Sequence, residues 1–180
     1  MFCHLNYHPD IEVLRNYFVN NKHRAKVHKR PSYTFDFWLK LFDEPESVKK
    51  IINDLGLNDM DVRPRFSFQE KNTLLPKHID IDRIVGINFN LLEKGQATIH
   101  INDIEHTYES ALIDVGAQPH SVEPVPHDRL VLKLAIRNPW EDIYEQLEKR
   151  NMIKTLPPLD YKSEISLENE KYLENKTEKS

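Results

Sequence analysis

The chain has 180 residues, of which 39% are apolar and 30% charged, enough for one ordinary globular domain with its own core. A net charge of -4 gives no general attraction for nucleic acid or an anionic membrane, and no run reaches the roughly 18 apolar residues of a membrane span. The opening Met1-Phe-Cys-His-Leu5 has neither the basic start nor the apolar stretch of a signal peptide, and the single Cys3 suits a reducing, cytoplasmic setting.

Residues 9 to 20 read as a helix, with Pro9 and Asp10 in its first turn and Ile11, Leu14 and Phe18 forming an apolar stripe. Residues 22 to 30 carry five Lys or Arg and two His, a solvated loop or a patch that meets an acidic substrate. From 32 to 42, Tyr33, Phe35, Phe37, Leu39 and Leu41 alternate as in a strand, with Trp38 on the other face. A second helix starts at Pro45 and stops at Gly56, with Val48, Ile51, Ile52 and Leu55 along one side. Residues 64 to 68 begin a system of short strands.

Between 78 and 91 the apolar residues Ile79, Ile81, Val85, Ile87, Phe89 and Leu91 fall on odd positions, and His78, Asp80, Asp82, Asn88 and Asn90 on even ones. That alternation predicts one long strand, or two joined by a bend, with an apolar face toward the core and a polar face toward a cavity. A turn at 93 to 96 and strands at 97 to 102, 105 to 108 and 111 to 115 follow. The bend Gly116-Ala-Gln-Pro119 then leads into His120, and prolines 124 and 126 give a loop before an alternating strand from Arg129 to Arg137. Asn138-Pro-Trp-Glu141 reads as a cap, proline at the first helical position and glutamate at the third, opening a helix to about 150.

Positions 78 and 80 share a strand face, so an imidazole and a carboxylate there can converge on one ion. With nine His and thirteen Asp, chance supplies about 0.6 of a His-x-Asp pair, so the pair decides little alone. A second imidazole at His120 adds the weight. Two His and one carboxylate occupy one face of an octahedral metal and leave the other positions open, which suits oxygen activation by Fe(II). His78 and His120 as surface or satisfied core residues is the competing reading. His100, His106 and His127 lack a carboxylate at a chelating offset and are assigned to solvent or supporting roles.

The order His-x-Asp, short strands, His, then Arg about ten residues on resembles the Fe(II)- and 2-oxoglutarate-dependent oxygenases, most closely the branch containing aspartyl/asparaginyl β-hydroxylase and bacterial proline 3-hydroxylase. The resemblance runs from Arg65 to Trp140 and is carried by Pro76-Lys-His-Ile-Asp80, Gly116-Ala-Gln-Pro-His120 and Asp128-Arg-Leu-Val-Leu132. It implies that His78, Asp80 and His120 hold Fe(II). It also implies that Arg129 pairs with the distal carboxylate of 2-oxoglutarate, with Lys133 or Arg137 as alternatives on its strand face, and that Ser67 contacts the same cosubstrate. Arg83 resembles a family arginine near the metal strand, at shorter spacing. Aspartyl hydroxylases lack the metal carboxylate that Asp80 supplies, which places this chain nearer the proline-hydroxylase type.

The expected architecture is α+β with a mainly β core: a double-stranded β-helix, jelly-roll or cupin-like, flanked by helices. One domain spans 1–155, with a helical and strand part over 1–60, the jelly-roll core over 61–138 and a helix over 139–150, and a polar tail follows over 156–180. The expected reaction is hydroxylation of an amino acid or protein side chain with dioxygen, as 2-oxoglutarate is decarboxylated to succinate. Asn88, Asn90 and the basic segment are candidates for touching a small-molecule or peptide substrate. A cupin-like enzyme using Zn or Mn, and a binding module without turnover, are the alternatives. Oligomeric state is not readable.

Overall fold

The computed structural model describes residues 1–27, 38–81, 84–92 and 97–154. Arg83, the positions Tyr33, Phe35 and Phe37, the 93–96 turn and the 156–180 tail therefore lie outside the described residues. Among those described, the chain order is β1 (Phe2–His4), α1 (Ile11–Asn21), a 3-10 turn (Lys22–Arg24), β2 (Lys26–Val27), β3 (Trp38–Leu41), α2 (Glu46–Asp54), β4 (Val62–Gln69), β5 (Leu75–His78), β6 (Val85–Asn90), β7 (Ala97–Ile101), β8 (Ile104–Tyr108), β9 (Ser110–Asp114), β10 (His120–Val122), β11 (Arg129–Ile136) and α3 (Trp140–Lys149). The strands form a seven-stranded sheet, β1-β9-β6-β11-β4-β3-β2, and a four-stranded sheet, β5-β10-β7-β8. Every ladder among the described residues is antiparallel. Two such sheets with helices on one flank make the jelly roll that the strand spacing predicts.

The central strand β11 shows how the layers are separated. All eight of its residues are buried, yet they alternate in chemistry. Leu130, Leu132, Leu134 and Ile136 join a core with Leu14 and Phe18 of α1, Val48, Ile51 and Ile52 of α2, and Ile143 and Leu147 of α3. The opposite face, carrying Arg129 and Lys133, looks toward the smaller sheet, because successive strand side chains point to opposite sides. A second apolar cluster fills one end of the space between the sheets, built from Ile99, Ile101, Tyr108, Ala111, Ile113 and Val122. The polar residues of β4, β6 and β11 occupy the rest.

The helices follow their sequence signals with small shifts. Asp10 caps α1, its side chain accepting a hydrogen bond from the Val13 amide at 3.1 Å, instead of lying within the first turn. Gly56 ends α2 at φ 71°, and a Cβ there would overlap the Arg150 guanidinium. At α3 the capping position is Pro139, and Asn138 turns away to accept from the Asp61 amide at 3.1 Å. Tying the end of β11 to the start of β4 satisfies that amide, and the helix begins one residue later than the cap reading predicts.

One long strand from 78 to 91 does not exist; the alternative of two strands is met, though they lie in different sheets and are not joined by a simple bend. β5 stops at His78 and β6 starts at Val85, and the two belong to different sheets. Val85, Ile87, Phe89 and Leu91 are buried as expected, but Ile79 is 45% and Ile81 94% exposed. The period-two pattern continues through a segment that crosses between sheets and so has no common face to bury.

Candidate metal centre

The antiparallel pairing of β5 with β10 sets His120 directly opposite His78, and their ring centroids lie 4.3 Å apart. The register slips by one residue between this pair and Val122–Leu75, a bulge of the kind that re-aims side chains beside functional sites. Asp80 comes two residues after the strand. Its backbone N–H donates to the Val115 carbonyl at 3.0 Å, which holds the loop and turns the carboxylate back to the histidines. Strand alternation therefore does not bring positions 78 and 80 together. An anchored loop does.

His78 Nε2 lies 3.7 Å from Asp80 Oδ1, and His120 Nε2 lies 3.5 Å from Asp80 Oδ2. One ligand atom from each of the three residues falls within 4.8 Å of the other two. Ligands about 2.1 Å from one ion stand about 3.0 Å apart at a right angle and about 3.4 Å at the tetrahedral angle, and the two histidine–carboxylate separations exceed the right-angle value by less than an ångström. Each ring is also oriented from behind. Nδ1 of His78 is 2.8 Å from the Pro76 carbonyl, and Nδ1 of His120 is 3.1 Å from the Gln118 carbonyl. A carbonyl only accepts, so Nδ1 of each neutral ring carries the proton and Nε2 presents its lone pair to the cavity. The donor set fits a divalent ion.

Burial alone would raise the Asp80 carboxyl. The contact with His120 and the nearby Lys133 and His78 outweigh it, and Asp80 ionises below the usual carboxylate range. A buried carboxylate charged at neutral pH is what a hard metal needs as a ligand.

Across the cavity, Arg129 is 5% exposed. Its Nη2 donates to the Tyr108 hydroxyl at 2.8 Å, bridging the two sheets, while its Nε is buried without a hydrogen-bond partner. Ser67 sits on the neighbouring strand, opposite Val131, and its hydroxyl is likewise buried and unpartnered. Two orphaned donors on one buried face are costly unless an acceptor arrives, and a carboxylate fits both. Tyr108 belongs to the same constellation. Its hydroxyl accepts from Arg129 and from Asn88 Nδ2 at 3.4 Å, which leaves its own proton for an incoming oxygen. The sequence gives no sign of this role, since Tyr108 reads there only as the end of a short strand.

The other sequence candidates divide. Lys133 is 9% exposed and shares the Arg129 face, whereas Arg137 is exposed beyond the end of β11 with Nε 3.8 Å from Asp61 Oδ2, which removes it as a carboxylate anchor inside the cavity. Asn88 and Asn90 are buried on the inner face of β6. Of the basic segment, Lys22 lies 4.0 Å over the Phe68 ring and Arg24 bonds Asp43 at 2.7 Å, both on the helical side of the large sheet, and His28, Lys29 and Arg30 are outside the described residues, as is Arg83. His100 approaches Glu105 at 3.6 Å, His106 stacks on Phe2 at 4.4 Å and His127 is exposed, so none of them joins the triad.

Fold and site together define a double-stranded β-helix of the jelly-roll, cupin-like class with a two-histidine, one-carboxylate cluster between its sheets. Neither a protein-family model nor a curated protein matches the sequence. Among solved structures, the chain is similar to a Pseudomonas putida prolyl-4-hydroxylase, with TM-score 0.54 and 19% identity over 71% of this chain and 85% of that one. A prolyl hydroxylase from Trichoplax adhaerens, in complex with a hypoxia inducible factor peptide fragment, gives TM-score 0.56 and 11% identity over 83% and 86%. The DMSP lyase DddQ from Ruegeria pomeroyi gives 0.51 and 14% over 75% and 67%. At these identities the likeness speaks for the fold.

Proposed function

We propose that the protein is an Fe(II)- and 2-oxoglutarate-dependent oxygenase that hydroxylates an amino acid or a protein side chain. The observation that carries this reading is a pair of half-sites between the two sheets, linked through Lys133, on which the charges of both Asp80 and Arg129 act. One is the imidazole and carboxylate cluster of His78, Asp80 and His120, and the other is the buried Arg129 guanidinium with Ser67 and Tyr108. A metal enzyme whose ligands carry no carboxylate needs the first and has no need of the second. Fe(II) held by His78, Asp80 and His120 would, with 2-oxoglutarate, supply oxidation by dioxygen, in which substrate C–H, dioxygen and 2-oxoglutarate give C–OH, succinate and carbon dioxide.

The chain's own residues do the positioning. His78 and His120 lend Nε2 while the Pro76 and Gln118 carbonyls hold their rings. Asp80 offsets part of the metal's charge. Arg129 and Ser67 would take the distal carboxylate through the unpartnered guanidinium Nε–H and the hydroxyl, and Tyr108 would donate a further hydrogen bond. Burial of the cavity excludes water and strengthens each of these contacts. The test is succinate release in air: the wild-type chain with Fe(II) converts 2-oxoglutarate to succinate, and His78→Ala does not. Hydrolytic turnover with zinc and no succinate would replace this reading with the cupin-like metalloenzyme.

A further inference from the structure

A buried acceptor on the inner face of the large sheet has no use for 2-oxoglutarate. Gln69 closes β4 directly opposite Arg129 across β11–β4, two residues along the same face from Ser67, and is 3% exposed. Its Nε2 donates to the Thr73 carbonyl at 2.5 Å. That carbonyl only accepts, so the amide nitrogen is fixed on it and Oε1 is the atom turned elsewhere. Oε1 is buried without a hydrogen-bond partner, as are Ser67 Oγ and Arg129 Nε. The three orphans differ in kind. A carboxylate satisfies the two donors, whereas 2-oxoglutarate at neutral pH has two carboxylates and a ketone, with no N–H or O–H for an acceptor. A buried acceptor facing only other acceptors is costly, so the site loaded with 2-oxoglutarate still calls for a donor.

Resting on the oxygenase reading, which gives Arg129 and Ser67 the distal carboxylate, we propose that the substrate carries a neutral N–H or O–H donor and that Gln69 Oε1 receives it. The donor is neutral because an ammonium there would lie against the Arg129 guanidinium, and like charges in a buried site repel strongly. A site built around an acceptor discriminates sharply. An isostere without the proton leaves Oε1 unpaired, and one with an anionic oxygen sets acceptor against acceptor. Carboxamides and hydroxyls have the required chemistry, in a free molecule or in a side chain of a peptide.

Line broadening of ligand proton resonances by Mn(II), in the full chain loaded with Mn(II) and 2-oxoglutarate under nitrogen, reads binding without turnover. The probes are L-asparagine, L-glutamine, L-serine and L-threonine against their isosteres L-aspartate, L-glutamate, L-alanine and L-valine, each free and as the middle residue of an N-acetylated, C-amidated glycine tripeptide. The expected result is saturable broadening of a donor-bearing probe at concentrations at least tenfold lower than its isostere, with the free and peptide arms telling the source apart. In Gln69→Met, or in Gln69→Leu if the first does not fold, that ratio falls below twofold while 2-oxoglutarate affinity changes less than twofold. Equal response within every pair, including none at all, overturns the proposal, as does a preference that the Gln69 variant keeps. A tenfold loss of 2-oxoglutarate in that variant overturns it too, because Gln69 then serves Arg129 and not the substrate. Failure of 2-oxoglutarate to bind the metal-loaded wild-type chain sinks the oxygenase reading instead, and that is seen before any probe is added.

Discussion

At the scale of single residues, the cavity is a set of polar groups that folding leaves uncomfortable. Arg129 and Ser67 keep buried donors without acceptors, and Lys133 is held well below its ordinary value near 10.5 by burial and by Arg65, Arg129 and Lys40. Proteins tolerate such strain where a ligand relieves it. Replacing Arg129 with Met removes charge-assisted hydrogen bonds of about 1.5–3 kcal/mol, so the 2-oxoglutarate requirement rises roughly 10- to 150-fold, measured by succinate formation against cosubstrate concentration. For Lys133 the sign runs through proton counts. The folded amine binds fewer protons than the unfolded one between its lowered folded value and 10.5, so stability rises with pH across that window. Lys133→Met abolishes that slope and stabilises the metal-free protein at neutral pH by about 1–3 kcal/mol, as urea unfolding at several pH values will register. A destabilised variant with an unchanged slope contradicts this account of Lys133.

Among the elements, the two that hold the triad are short, and the long ones were easier to read. The eight residues of β11 alternate leucine with cation or small residue, and both faces are buried against different layers, so its period is plain in the sequence. The amphipathic stripes of α1, α2 and α3 are equally plain. The break between β5 and β6 was legible only as one of two readings, because odd-position isoleucines run on through the crossing between sheets and mimic one continuous face. His78 and His120 were legible as residues, but their pairing across β5–β10 and the loop that returns Asp80 through Val115 depend on long-range hydrogen bonds that no local pattern carries. Tyr108 was invisible for the same reason, since its partner stands in the opposite sheet. The two kinds of isoleucine give a direct check. Ile87→Ala removes a fully buried side chain and costs about 2–5 kcal/mol, whereas Ile81→Ser, at a position 94% exposed, stays within about 0.5 kcal/mol in chemical denaturation.

For the whole molecule, one sheet serves two purposes. Its helical face supplies the larger apolar core, and its inner face, freed from that task, carries the charged cavity between the sheets. A metal bound there clamps β5, β10 and the Asp80 loop together and stabilises the folded chain by mass action. Mn(II) at about a hundred times its Kd adds about 2.7 kcal/mol, a Tm rise of about 5–10 °C for a chain this size, and His78→Ala loses that rise. Equal metal stabilisation of wild type and His78→Ala would place the ion elsewhere.

The central claim is that one cavity holds Fe(II) on His78, Asp80 and His120 and a 2-oxoglutarate anchored by Arg129. Anaerobic titration of the Fe(II)-loaded chain with 2-oxoglutarate, followed by visible absorption, tests it most directly. A weak charge-transfer band is expected that saturates with 2-oxoglutarate, is absent in His78→Ala and needs far more cosubstrate in Arg129→Met. No band in the wild-type chain, or an unchanged band in His78→Ala, would contradict the account.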